Sequence, residues 1–204
     1  MLGLALHTST PDLGLALSNF ETETRHQVWN LGRDLSSHLH EHLSTFITPH
    51  TWQDLTFLAV AKGPGGFTGT RIGVVIARTL AQQLDIPLFG ISSLAAVAVQ
   101  AQTEAAIAIT MPAKRGDVYG AIYRHQSAGL ETLIPEVVMA ATDWHTKLAA
   151  WETVLHRIDL STGQGLGESV TGVLALAHTQ WQQGQRPHWS ETVPFYGQHP
   201  VALP

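Results

Sequence analysis

Gly63-Pro64-Gly65-Gly66-Phe67-Thr68-Gly69-Thr70-Arg71-Ile72-Gly73 links an apolar run, Leu55-Thr56-Phe57-Leu58-Ala59-Val60-Ala61, to Val74-Val75-Ile76-Ala77-Arg78-Thr79-Leu80-Ala81. The run before it is short enough to be a buried strand and the stretch after it reads as a helix, so the glycine segment is a strand-loop-helix junction. Glycine takes positive φ and lets other groups approach the backbone, Pro64 fixes one turn dihedral, and Thr68 is placed to cap the helix. A helix start of this kind can hold an anion.

Two phosphate-binding motifs do not fit. A Walker A loop needs a glycine and a lysine after the four residues that follow its first glycine; here Thr68 stands there and no lysine follows in the turn. The dinucleotide fingerprint needs its third glycine at Thr68, and Gly69 comes one step late. A different regularity holds: Gly65, Gly69, Gly73, Ala77 and Ala81 recur every fourth residue. From Gly69 onward they form one ridge of the helix, which lets another element come closer than the usual interaxial distance of about 8–10 Å. The ridge faces either the protein's own sheet or a partner's helix, and spacing alone leaves both open.

The eleven residues from Gly63 to Gly73 resemble the signature Gly-Pro-Gly-Ser-Phe-Thr-Gly-Leu/Thr-Arg-Ile-Gly of the TsaB (YeaZ) family, with Gly66 where serine is usual. That family is a subunit of the bacterial machinery that makes threonylcarbamoyladenosine in tRNA. The resemblance runs on through Ser93-Leu94 to the end, Pro194-Phe195-Tyr196-Gly197-Gln198, where Gln198 replaces a usual arginine. It implies an α/β chain with two similar lobes of the actin-like ATPase (ASKHA, ribonuclease H-like) fold, residues 1–104 and 105–204. In that superfamily the first hairpin is a phosphate loop that usually begins with a metal-holding aspartate. Here Leu6-His7-Thr8 stands for the usual Ile-Asp-Thr, and imidazole does not replace a carboxylate on magnesium, which prefers oxygen.

The composition agrees with a folded domain. Of 204 residues, 44% are hydrophobic and 13% charged, which excludes a disordered chain. The absence of cysteine removes disulfides, thiolate catalysis and cysteine-ligated zinc. No apolar run reaches the roughly 20 residues that span a bilayer, and the start lacks a basic signal-peptide region, so a cytoplasmic protein without membrane contact is expected. Eleven basic against sixteen acidic residues give a net charge of −5, the wrong sign for a broad grip on tRNA.

Residues 2–6 and 13–17 read as a hairpin, with a third strand over 24–30. Asp34 is placed to cap a helix whose Leu35, Leu39, Leu43, Phe46 and Ile47 share one face. His38 and His42 lie one turn apart on its other side, without a third ligand at a telling spacing, so a solvated or interface-facing pair is expected rather than a metal site. Further on, a short strand at 86–91 leads into a helix over 94–99 capped by Ser92-Ser93. Strands over 106–110 and 117–123 flank a turn holding Lys114 and Arg115, where Pro112 replaces an aspartate usual in the family. A helix over 142–151, a strand at 154–158, a glycine loop at 161–167 and a helix over 169–182 complete the pattern.

No serine-histidine-acid cluster, carboxylate pair or metal triad stands out, so no catalytic residue is assigned. By resemblance the chain is a non-catalytic subunit that binds and positions TsaD, the enzyme that transfers threonylcarbamoyl to N6 of adenosine 37, with the ATPase TsaE joining the complex. ATP and a metal ion then belong to those partners, and tRNA is reached only through the complex. The resemblance places a shared helical bundle with TsaD, or with a second copy in a homodimer, on Gly69, Arg71, Ile72, Gly73, Ile76 and Ala77 of the glycine-led helix and on Leu39, His42 and Leu43 of the helix before it. The alternative is a small actin-fold ATPase or kinase that uses Thr8 and Gly163 as nucleotide or anion contacts; a metallopeptidase, the third reading, lacks ligands.

Overall fold

The opening hairpin forms as β1 (Gly3–His7) and β2 (Asp12–Ser18), and β3 (Thr24–Asn30) extends it. The computed structural model describes residues 1–161, 165–195 and 197. After α1 (Leu35–Ile47) come β4 (Phe57–Ala61), α2 (Phe67–Leu84), β5 (Leu88–Ile91) and α3 (Ser93–Ala98). These strands make a sheet in the order β3-β2-β1-β4-β5, with the hairpins antiparallel and β1, β4 and β5 parallel.

The second half repeats the plan. β6 (Ala106–Pro112), β7 (Asp117–Gln126), β8 (Gly129–Ala140) and β9 (Leu155–Asp159) form a sheet in the order β8-β7-β6-β9. β6 pairs antiparallel with β7 and parallel with β9, as β1 does with β2 and β4, and β5 has no counterpart. The chain is thus an α/β protein with two sheets of related topology. α4 (Ala141–Ala149) lies between β8 and β9, and α5 (Val170–Gln182) follows β9.

Alternation along the strands decides which helix covers which face. Leu4 and Leu6 of β1, Leu13, Leu15 and Leu17 of β2, and Leu58 and Val60 of β4 form one core with α1 and α2. The residues between them, Ala5, Ala16, Ala59 and Ala61, are small, and there α5 packs with Val170, Val173, Leu174 and Ala177. A helix from late in the chain therefore covers the first sheet. Strands β1, β2 and β4 are therefore buried on both faces, which is why they read as near-continuous hydrophobic runs, whereas the edge strand β3 is polar and largely exposed. α3 bridges to the second sheet through Leu94 and Ala98 against Ile107, Ile109 and Ala121, and Trp144 and Leu148 of α4 cover that sheet's outer face.

Three features depart from expectation. α2 begins at Phe67 behind an extended Gly66, so Thr68 lies inside the helix and is not its cap. Asp34 precedes α1 but makes no side-chain cap bond. The twelve-residue β8 was not recognisable as a strand, because Pro135 and the polar Glu131, Thr132 and Glu136 interrupt its apolar residues. As an edge strand it tolerates proline, and the register slips by β7 residues 120–123 spoil a simple period of two. Among the described residues no helix is long and apolar enough to cross a membrane.

Candidate functional site

The small-residue ridge of α2 packs inward. A Cβ on Gly69 would collide with the Thr8 carbonyl oxygen, and one on Gly73 with the Thr8 hydroxyl; Ala77 and Ala81 are fully buried. Thr8 Oγ1 donates to Gly69 O at 2.8 Å, and Gly66 N donates to Ser9 O at 2.6 Å. The glycine loop therefore serves as a close-packed seat for the turn after β1. Of the positions assigned to a partner's helix, Gly69, Gly73 and Ala77 are occupied by the protein's own turn and sheet and Leu39 is a core residue, whereas Leu43, though buried, also lines the groove between α1 and α2. The assignments of Gly69, Gly73, Ala77 and Leu39 are corrected: the spacing is a signal of close approach, and the element that approaches the ridge is β1 and its turn.

That turn is also where a nucleotide's phosphates were anticipated. Thr8 and Ser9 are fully buried, and Ser93 Oγ donates to Ser9 Oγ at 3.3 Å. His7 shares the small-residue face of β1 beside Gly14, which the Gly167 carbonyl approaches too closely to admit a side chain. Its Nδ1 accepts from Ser9 N at 3.4 Å, which fixes the proton on Nε2, and Nε2 has no hydrogen-bond partner among the described residues. Burial pushes the imidazole pKa down to about 3, so the ring is neutral at physiological pH. Gly163 lies outside the described residues, as do Tyr196 and Gln198 of the family-like tail.

Asp12, which sequence reading passed over, ties this region together. Its Oδ2 accepts from Thr10 Oγ1 at 3.1 Å and from Gly165 N at 3.2 Å, and its Oδ1 accepts from Asn30 Nδ2 at 3.1 Å. One buried carboxylate thus joins β2, β3 and the start of the turn before α5. Bonds to a charged acceptor are worth about 1.5–3 kcal/mol each, but water partly replaces them on truncation. Asp12→Ala should therefore lower stability by about 2 kcal/mol, read by urea unfolding, and Asp12→Asn by less, since an amide keeps one acceptor.

On its outer side α2 carries a second stripe, apolar and larger. Ile72, Ile76 and Leu80 are half-buried against α1, and Val75 is 60% exposed and Phe67 41%. Between α1 and α2 a cavity of about 220 Å³ is lined by His40, Leu43, Trp52, Ile76, Thr79 and Leu80. Ile72 and Ile76, assigned from the sequence, lie on this face; Val75, Leu80, Trp52 and His40 were missed, although the spacing 72, 75, 76, 79, 80 carried the signal. Arg71 is exposed with its guanidinium 4.9 Å from the Phe67 ring centre, and Arg78 stands 5.8 Å from that of Trp189. The His42 ring lies tilted against Trp29 with the ring centres 4.5 Å apart, and His38 Nδ1 lies 3.2 Å from Asp34 O. Among the described residues no three histidine, cysteine or acidic side chains converge as metal ligands.

Comparison with known proteins adds to this geometry. A family model described as "TsaD: tRNA N6-adenosine threonylcarbamoyltransferase" matches residues 47–167, more than half of the chain. The chain is 32% identical over 189 residues to the tRNA threonylcarbamoyladenosine biosynthesis protein TsaB of Bacillus subtilis, covering 90% of this chain and 82% of that protein. To the protein of the same name from Escherichia coli it is 28% identical over 169 residues, 73% of each chain. The fold matches YeaZ from Pseudomonas aeruginosa with a TM-score of 0.77 at 22% identity, over 96% of this chain and 100% of that one.

Proposed function

The chain belongs to the TsaB family, and we propose that it acts in threonylcarbamoyladenosine synthesis on tRNA as a non-catalytic subunit that binds and positions a TsaD-like transferase, with a TsaE-like ATPase joining them. The observation that carries this reading is the outward apolar stripe of α2. Ile72, Val75 and Ile76 lie beside a cavity smaller than the roughly 300–1,000 Å³ of small-molecule sites and suited to a partner's side chain. The buried turn after β1 supports the same reading. A nucleotide's phosphates would have to displace the packing of Thr8 and Ser9 on α2 and α3, and the residue at the metal position is a neutral imidazole. ATP and metal are then the partners' business, and the net charge of −5 leaves the tRNA to the assembled complex.

The test is reconstitution with the TsaD-like and TsaE-like proteins of the same genome. This chain alone should give no threonylcarbamoyl transfer to tRNA, and leaving it out should abolish or greatly slow transfer by the others. Val75→Asp should weaken the complex with the transferase about thirtyfold, the scale of an interface hot spot of about 2 kcal/mol, while unfolding changes by less than about 0.5 kcal/mol. Transfer that proceeds undiminished without this chain would refute the assignment.

A further inference from the structure

The chain passes covalently from the first sheet to the second at residues 99–105, before β6, and returns after β9 to α5, which packs back on the first sheet. A further link follows α5 and is not covalent. The Pro187 carbonyl accepts from Leu88 N at 3.3 Å, Thr192 Oγ1 donates to Leu88 O at 3.1 Å, and Phe195 N donates to Lys62 O at 2.7 Å. The segment thus runs beside β5 and then over the residue that follows β4. Gly197 next sits against Tyr119 of β7 and Val138 of β8, where an added Cβ would come within 2.7 Å of each. Between Thr192 and Gly197 a surface strap therefore reaches from one sheet to the other.

Glycine stands at both footholds. Gly63, with φ +99°, lies beneath the Phe195 carbonyl, and Gly197 has φ +57°; a side chain at either would be strained by its backbone and would collide with what it faces. Just beyond Gly63, Gly65 packs on the Ser9 carbonyl, which also accepts from Gly66 N. The glycine loop before α2 is thus held between the strap on one side and the turn after β1 on the other. The strap itself is superficial. Thr192 is buried, but Val193 is 57% exposed and Phe195 only half-buried. Segments held by surface hydrogen bonds and little apolar contact open at far lower free energy than the whole fold.

We propose that residues 192–195 with Gly197 are a latch. Docked, it fixes the angle between the two sheets and clamps the glycine loop onto the turn after β1. Released, it lets the second sheet swing about the covalent connections and frees that loop. A binder that holds the strap away from Lys62 and Tyr119 would shift the chain to the open state and loosen the start of α2 without touching it.

The chain has no cysteine, so Gln83→Cys/Lys147→Cys, at exposed positions of α2 and α4, sets one spin label beside each sheet. Pulsed electron resonance of the labelled full chain should give one narrow distance distribution. The same chain ended after Glu191 should give a distribution at least about twofold wider or a second distance, and amide exchange at Gly66 should quicken about tenfold or more. Gly197→Val, which leaves the contacts with β4 and β5 in place, should also widen the distribution, while Val193→Ser should leave distance and exchange unchanged. Thermal melts show whether each variant is folded; where the shortened chain is not, Gly197→Val decides. A folded Gly197→Val or shortened chain with the wild-type distribution overturns the inference, since the sheets would then be held rigid by α3 and α5 alone.

Discussion

Gly73→Leu should destabilise the isolated chain by about 4 kcal/mol or more, enough to leave a marginal domain largely unfolded, whether or not any partner is present. The new side chain has no room. Its Cβ alone would collide with the hydroxyl of Thr8, which is buried and bonded to the Gly69 carbonyl, and the branched end would be driven into the β1 turn. Gly73→Ala is the sharper test because its sign is at stake. In an open helix the change gains about 1 kcal/mol of helix propensity, whereas here displacement of the Thr8 hydroxyl should turn that gain into a net loss. Thr8→Ala in the same chain removes the obstructing oxygen and should recover part of the loss, a coupling that a double-mutant cycle measures. Gly69→Ala should not be rescued in this way, because the atom it meets is a backbone carbonyl. A Gly73→Leu protein that melts like wild type would mean that the ridge faces outward.

The two faces of α2 show what the sequence could and could not convey. Position four by four, the glycine and alanine ridge declares that something comes close, and the identity of that element depends on where β1 ends, a long-range fact with no local signature. The aliphatic stripe on the other side was equally legible at 72, 76 and 80, but half-buried isoleucines look alike whether they meet a core or a partner. Strands β1, β2 and β4 and helix α1 emerged almost whole because their short apolar runs and the 3.6-residue leucine period were undisturbed. β8 did not, since an edge strand with a proline and register slips has neither signal. Asp12 was invisible for another reason: its partners Asn30 and Gly165 lie 18 and 153 residues away.

His7 carries the other large effect, and it follows from an imidazole held neutral beneath the turn. With a folded pKa of about 3 and an unfolded value of 6.5, the unfolded chain takes up a proton first as pH falls. The contribution is fully present above pH 6.5 and declines below it by about 1.4 kcal/mol per pH unit, so the chain loses about 2 kcal/mol by pH 5 and about 3 kcal/mol by pH 4. Denaturant unfolding across this range should show that slope, and His7→Gln, uncharged at every pH, should remove it whatever its own cost in packing. His7→Asp, which restores the family's usual residue, should invert it. A carboxyl group in the same unpartnered place is favoured neutral, so its folded pKa rises and stability falls as pH climbs from about 4 toward 7. The aspartate suits a cleft open to water and a cation, and the imidazole suits one packed shut. An acid limb unchanged by His7→Gln would show that the ring is hydrated or paired in solution and would remove this account of why histidine stands there.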